Sequence, residues 1–178
     1  LFLLILSAFP MSGSCEESSY DGAAFTGAYG YTGCIKLWND TITVILEPNC
    51  GGRVIEYSLN GTNALYVDPA QNGMTWNEGG KRFSPCAGRT DIGPESLVPP
   101  RPLLWLGRWT AKITGPRTAR MISQEDPSTG VQLIRDFRLD KHSSHLRFTQ
   151  TIKNISKETK RYCHWSRTFA TGGGICIV

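Results

Sequence analysis

The sequence predicts an all-β domain, an antiparallel β-sandwich, on three observations. Short runs rich in β-branched and aromatic residues recur along the 178 residues. Nineteen glycines and ten prolines, many of them between these runs, supply frequent turns. No segment carries the apolar stripe at 3.6-residue spacing that marks an amphipathic helix. Successive strands joined by short turns are typical of a sandwich or an open barrel.

The first predicted strands form two hairpins. Residues 35–38 and 41–46 alternate around the turn at Asn39 and Asp40. Residues 53–59 and 62–67 flank Asn60-Gly61, a dipeptide that tolerates the positive φ angles of a two-residue hairpin turn.

Regular periodicity is lost between residues 68 and 106, where glycine, proline, asparagine and tryptophan accumulate. A long irregular stretch in a folded domain commonly serves as a lid or a binding loop. Strands are predicted again beyond it, with Val131, Leu133, Phe137 and Leu139 on one face of the third. These later strands cover residues 109–114, 119–123, 131–139, 146–154 and 161–171.

The two ends of the sequence carry further expectations. The apolar run at the start predicts a partial signal peptide over residues 1–15, a linker over 16–30 and the domain over 31–178. Cys15 is either a lipid anchor or a residue near an ordinary cleavage site. Export would place the protein in the periplasm, on the envelope or outside the cell. Residues 172–178 resemble the start of another strand, so the sandwich is expected to be incomplete at its C-terminus.

Charge and cysteine spacing exclude several classes of function. The formal charge of +4 is scattered, with no Lys/Arg run, so nucleic acid is not an expected partner. No apolar run is long enough to span a membrane. The six cysteines form no Cys-x-x-Cys, and no histidine stands at ligand spacing from a pair of them. Neither a metal nor a cofactor is expected, and most cysteines are interpreted as small buried side chains.

The strand over 161–171 holds a histidine at its centre. Alternation places Tyr162, His164, Ser166 and Thr168 on one face. A histidine titrates near neutral pH and can act as a general acid or base. This polar face suits a groove that binds a polyol, and it equally suits an ordinary solvated strand.

A second group of candidates comes from the irregular segment. Guanidinium groups, carboxylates and tryptophan rings are the chemistry that binds sugar hydroxyls and C–H faces. Two alternatives remain open: Arg89 pairs with Asp91 or Glu95 only to brace the loop, and Trp105 is a core anchor. Arg167, on the other face of the His164 strand, completes the set. The candidate substrate-binding residues are Arg89, Asp91, Glu95, Trp105 and Arg167.

The order of several motifs resembles the galactose mutarotase-like (aldose 1-epimerase-like) superfamily. Gly51-Gly52 leads to Gly61-Thr-Asn63-Ala-Leu65, and residues 146–156 follow the pattern L-x-F-x-x-T-I-x-N-x-S. His164 and the glycine-rich residues 169–174 come next. The resemblance covers about residues 31–178 and implies the N-terminal part of a mutarotase-like supersandwich.

The resemblance also implies a function. In that family a histidine on this strand protonates the sugar ring oxygen, and a distant glutamate removes the anomeric proton. It therefore implies His164 as the candidate general acid, with the glutamate beyond residue 178. No histidine precedes His142 to match the family's earlier substrate-binding histidine. The expected function is carbohydrate binding with interconversion of sugar anomers. The alternative is a non-catalytic carbohydrate-binding or structural envelope protein on the same fold.

Overall fold

The computed structural model describes residues 20–173, which fold into two packed antiparallel sheets. The larger sheet has seven strands in the order β1-β2-β3-β4-β6-β11, with β5 paired to β4, and the smaller has four in the order β10-β9-β8-β7. The predicted all-β sandwich is therefore confirmed. The strands are β1 (Ala23–Ala28), β2 (Tyr31–Trp38), β3 (Ile42–Glu47), β4 (Arg53–Leu59), β5 (Thr62–Asn63), β6 (Gly88–Gly93), β7 (Thr110–Gly115), β8 (Thr118–Ile122), β9 (Val131–Leu139), β10 (Leu146–Asn154) and β11 (Cys163–Thr168).

The smaller sheet follows the predicted alternation most closely. Val131, Leu133, Phe137 and Leu139 of β9 are all buried together with Arg135, and the alternate residues of the strand are more exposed. On β10, Phe148 stands opposite Phe137 in the register, with the two ring centroids 5.2 Å apart. The four apolar side chains of β9 pack against the larger sheet in the main core, because a sheet with one apolar face must bury that face.

The motifs behind the family resemblance have structural roles of their own. Gly51 and Gly52 both have positive φ angles, and they turn the chain between β3 and β4. A Cβ on Gly51 would lie 2.2 Å from the carbonyl oxygen of Trp105. The Asn63 side chain accepts from the amides of Tyr57 and Leu65 at 3.0 Å. The residues of both motifs therefore set the backbone conformation where they occur, which is a structural role.

The expected linker over residues 16–30 is wrong where the structure describes it. Residues Ala23–Ala28 form β1, which pairs with β2 in the register Ala23 to Leu37. Small alanine and glycine side chains give this strand little hydrophobic alternation, but its backbone completes the sheet edge. The folded domain therefore includes residues that precede the predicted boundary at residue 31.

The segment 68–106 is also more regular than predicted. Gly88–Gly93 form β6, which lies between β4 and β11 in the larger sheet. The same segment contains a 3-10 turn at Pro69–Gln71 and one helical turn, α1, at Pro102–Trp105. The chain between β6 and β7 returns to β6 through the contact of Arg101 with Asp91, and its Val98 and Leu104 belong to the main core.

Several expectations fall outside the described residues: the signal peptide, the fate of Cys15 and the strand-like run at 174–178. Within residues 20–173, no helix is long and apolar enough to cross a membrane. The strands β10 and β11 lie at the ends of their sheets' strand orders.

Candidate functional site

A cavity of about 420 Å³ opens on the outer face of the larger sheet, between β6, β11 and the chain that follows β6. We call it the arginine pocket and define it by its charged lining: Arg82, Arg89, Arg101, Arg167, Asp91 and Glu95. Its volume falls in the range of roughly 300–1,000 Å³ typical of small-molecule sites. Ser84, Val98, Pro100 and Trp105 complete the wall.

Strand register explains why the residues of β6 and β11 meet there. Arg89 and Asp91 are two positions apart, so both project from the same face of β6. In the antiparallel pairing of β6 with β11, Arg167 stands opposite Arg89 and Trp165 stands opposite Asp91. Directly opposed side chains of neighbouring strands lie close together on one face.

Asp91 forms a buried ion pair with Arg101. The two side chains are 5% and 7% exposed, and the Arg101 Nη2 lies 2.9 Å from the Asp91 Oδ2. The Arg101 Nε also donates to both carboxylate oxygens at 3.1 Å, and the Ile92 amide donates to Oδ1 at 2.8 Å. Asp91 therefore ties the segment after β6 to the sheet through Arg101.

Glu95 pairs with Arg167 at the opening of the pocket. Their closest atoms are 3.4 Å apart, and the side chains are 55% and 38% exposed. The Arg167 guanidinium also stacks on Trp165 at 4.3 Å from the ring centroid. A long and solvated ion pair holds its partners weakly. Both groups can therefore turn toward a ligand.

Arg89 forms an ion pair with neither Asp91 nor Glu95, so the bracing pair considered from the sequence is absent from residues 20–173. Its Nη1 donates to the Ser84 hydroxyl and the Pro85 carbonyl at 3.3 Å. Its guanidinium lies 5.0 Å from the ring centroid of Trp105. Burial lowers the pKa of the Arg89 guanidinium, and the nearby Arg167 lowers it further. Both effects disfavour a positive charge that an anion would stabilise.

The tryptophans contribute differently from each other. Trp105 is half-buried, and one face of its ring holds Arg89. Trp109 is a core residue, 2% exposed, whose indole nitrogen donates to the Leu104 carbonyl at 3.0 Å. Trp105 thus lines the pocket and also packs against the small buried cluster of Cys50, Trp76 and Leu106.

His164 lies on the other face of β11, away from the arginine pocket. It pairs in register with Ile92, a core residue, and its exposed side chain contacts the Gln150 amide at 3.2 Å. Its neighbours on that face, Ser166 and Thr168, border a cleft of about 190 Å³ between the sheets. The structure therefore separates the candidate general acid from the five candidate binding residues.

Arg135 is a residue of this region that sequence reasoning missed. It is 2% exposed and donates to the carbonyls of Gly51, Gly52 and Thr90. Its guanidinium also lies 4.1 Å from the Trp109 ring centroid. Burial lowers the pKa of Arg135 to about 9, so the side chain remains a cation at neutral pH. The sequence does contain a signal for it: Arg135 lies two positions from both Leu133 and Phe137, so it shares the buried face of β9.

No group of three or more metal-ligating side chains occurs within residues 20–173. Among the four described cysteines, Cys34, Cys50 and Cys86 are buried and Cys163 is exposed, all with free thiols. The interpretation of most cysteines as small buried side chains is confirmed for these three.

Comparisons of the chain with protein-family models, with curated proteins and with solved structures find no match.

Proposed function

We propose that this chain is a saccharide-binding β-sandwich domain whose ligand occupies the arginine pocket. The observation that carries the proposal is the convergence of Arg89, Asp91, Glu95, Trp105 and Arg167 on one cavity. They come from β6, the segment after it, and β11. They were chosen from the sequence as residue types that contact sugars.

The lining offers the two kinds of contact that a sugar needs. Guanidinium and carboxylate groups at the opening can donate to and accept from hydroxyl groups. Val98, Pro100 and the exposed part of Trp105 supply an apolar surface for C–H groups. Asp91 and Arg101 hold the site in shape, because their buried pair fixes one wall.

Interconversion of sugar anomers is not part of this proposal. A general acid must lie within hydrogen-bond reach of the atom that it protonates. His164 projects from the opposite face of β11, so a sugar in the arginine pocket is out of its reach. A catalytic role for His164 stays a prediction from the family resemblance.

Calorimetric titration of the full chain with a panel of monosaccharides and disaccharides tests the proposal. Glu95→Gln removes the carboxylate at the opening while keeping its size, and we expect affinity to fall about five-fold or more. Glu158→Gln is the matched control, because Glu158 forms an exposed ion pair with Lys160 at 3.1 Å, outside the pocket lining. The control should bind as the unaltered chain does.

Two results would contradict the proposal. One is an absence of binding heat with every saccharide in the panel. The other is an equal loss of affinity in Glu95→Gln and Glu158→Gln, which would show that the effect does not come from the pocket. His164→Ala adds a third arm. A large loss of affinity in that variant would place the ligand in the cleft between the sheets.

A further inference from the structure

The charges that line the arginine pocket do not balance. Four guanidinium groups face two carboxylates, a formal excess of two positive charges. Asp91 is committed to Arg101, and Glu95 lies beside Arg167. This leaves Arg82 at the opening and Arg89 in the wall without an ion-pair partner within residues 20–173.

The hydrogen bonds of Arg89 leave one edge of its guanidinium available. Its Nη1 donates to Ser84 and Pro85, but Nε and Nη2 donate to no acceptor in the described part of the chain. These two N–H groups form the parallel fork that binds both oxygens of a carboxylate. The residue is 6% exposed and lines the pocket, so the accessible part of its side chain is reached from the pocket.

Arg89 is also held in place before any ligand arrives. Trp105 stacks on the guanidinium at 5.0 Å, and the two Nη1 contacts fix the rotation of its plane. A pre-positioned fork loses little side-chain entropy on binding. Its lowered pKa reflects burial and the charge of Arg167, two penalties that an anion in the pocket would offset.

On the premise that the pocket binds a saccharide, we infer that the saccharide is acidic. A sugar carboxylate, as in a hexuronic acid, binds the Nε and Nη2 edge of Arg89. Ring hydroxyls then contact Glu95 and Arg167 at the half-exposed opening. The apolar face of the ring rests on Val98 and Pro100. A neutral aldose would leave the buried Arg89 fork without a charged partner.

The test measures binding of galacturonate and glucuronate to the full chain, beside galactose, glucose and the uronate methyl esters. The methyl ester keeps nearly the same shape and removes the charge. We expect the free acids to bind about ten-fold or more tightly than the esters and the aldoses, because hydrogen bonds to charged groups are strong. Arg89→Gln should remove this preference, and Arg89→Lys should restore only part of it. Arg120→Gln on the smaller sheet is the control.

Each outcome decides between the proposals. Equal affinity for the acid, the ester and the aldose overturns the acidic ligand and leaves saccharide binding standing. If Arg89→Lys keeps the full preference for the free acid over the ester, the bidentate contact is overturned. No binding of any saccharide overturns saccharide binding itself. If acetate or inorganic phosphate displaces the uronate at equal concentration, the pocket is a site for small anions, and both proposals are wrong. The ester comparison uses the unaltered chain, so it holds even if Arg89→Gln fails to fold.

Discussion

Replacement of Asp91 by alanine should destabilise the protein more than any ordinary surface change. The carboxylate forms a buried ion pair with Arg101 and accepts from the Ile92 amide. Two unit charges about 4 Å apart attract by about 4 kcal/mol at an effective dielectric constant of about 20. Removal of one partner leaves the other charge buried and unpaired, which costs about 3–5 kcal/mol in measured cases.

Urea unfolding of the full chain measures this loss. With an m-value of about 2 kcal/mol/M, a loss of about 4 kcal/mol lowers the midpoint by about 2 M. Asp136→Ala is the matched control: Asp136 also pairs with an arginine, at 2.7 Å, but both side chains are about 40% exposed. Solvent screens that pair, so its removal should lower the midpoint by only a small fraction as much.

A double-mutant cycle decides whether the pair itself is responsible. In an Arg101→Met background, Asp91→Ala should cost much less or even stabilise the protein, because it removes a carboxylate that Arg101→Met leaves buried and unpaired. Equal losses in both backgrounds would refute the reasoning, as would a midpoint for Asp91→Ala that matches Asp136→Ala.

Three further predictions concern the backbone and the thiols. Gly51→Ala should strongly destabilise the protein, because the added Cβ would lie 2.2 Å from the Trp105 carbonyl oxygen. Gly33 has a similar φ and no atom within 4 Å of such a Cβ, so Gly33→Ala should cost only about 1 kcal/mol of backbone strain. Similar urea midpoints for the two variants would contradict this. Burial raises the pKa of Cys34 and of Cys50 to about 12. Their contribution to stability is therefore fully present below pH 9 and is lost as pH rises toward 12, by up to about 1.4 kcal/mol per pH unit for each thiol. Unfolding at pH 8–11 should be less pH-dependent in Cys34→Ala, and an unchanged slope would argue against burial as the cause. Peptide mapping after brief alkylation at pH 8 should find Cys163 modified and Cys34 and Cys50 protected, since only Cys163 of the three is exposed; early modification of Cys50 would contradict the fold around it.

Sequence reasoning succeeded where one face of a strand is apolar and the other is not. In β9 the alternation is nearly complete, so its strand and its buried face were both predictable. In β6 both faces are covered and the residues include glycine, arginine and aspartate. Such a strand shows no period of two, because covered polar residues replace the apolar ones. The strand β1 was also missed, because its small residues show little apolar alternation.

The candidate site was predictable in residue types but not in pairing. The residue types suited to sugars do meet in one cavity. Their partners depend on how the chain folds back after β6, which brings Arg101 to Asp91 across ten positions. The position of His164 followed from alternation, but only the strand order shows that its face contacts the other sheet.

The bend at Gly51 and Gly52 has a consequence for attempts to change the ligand preference of the pocket. Gly51 donates to the Gly107 carbonyl at 2.9 Å and leaves no room beside Trp105, so the pocket wall rests directly on the core. Substitutions of Trp105 or Arg101 would therefore alter folding and binding together. Arg82 and Glu95 are exposed and line the opening. A library that seeks new ligand preferences should vary these two positions and leave the wall intact.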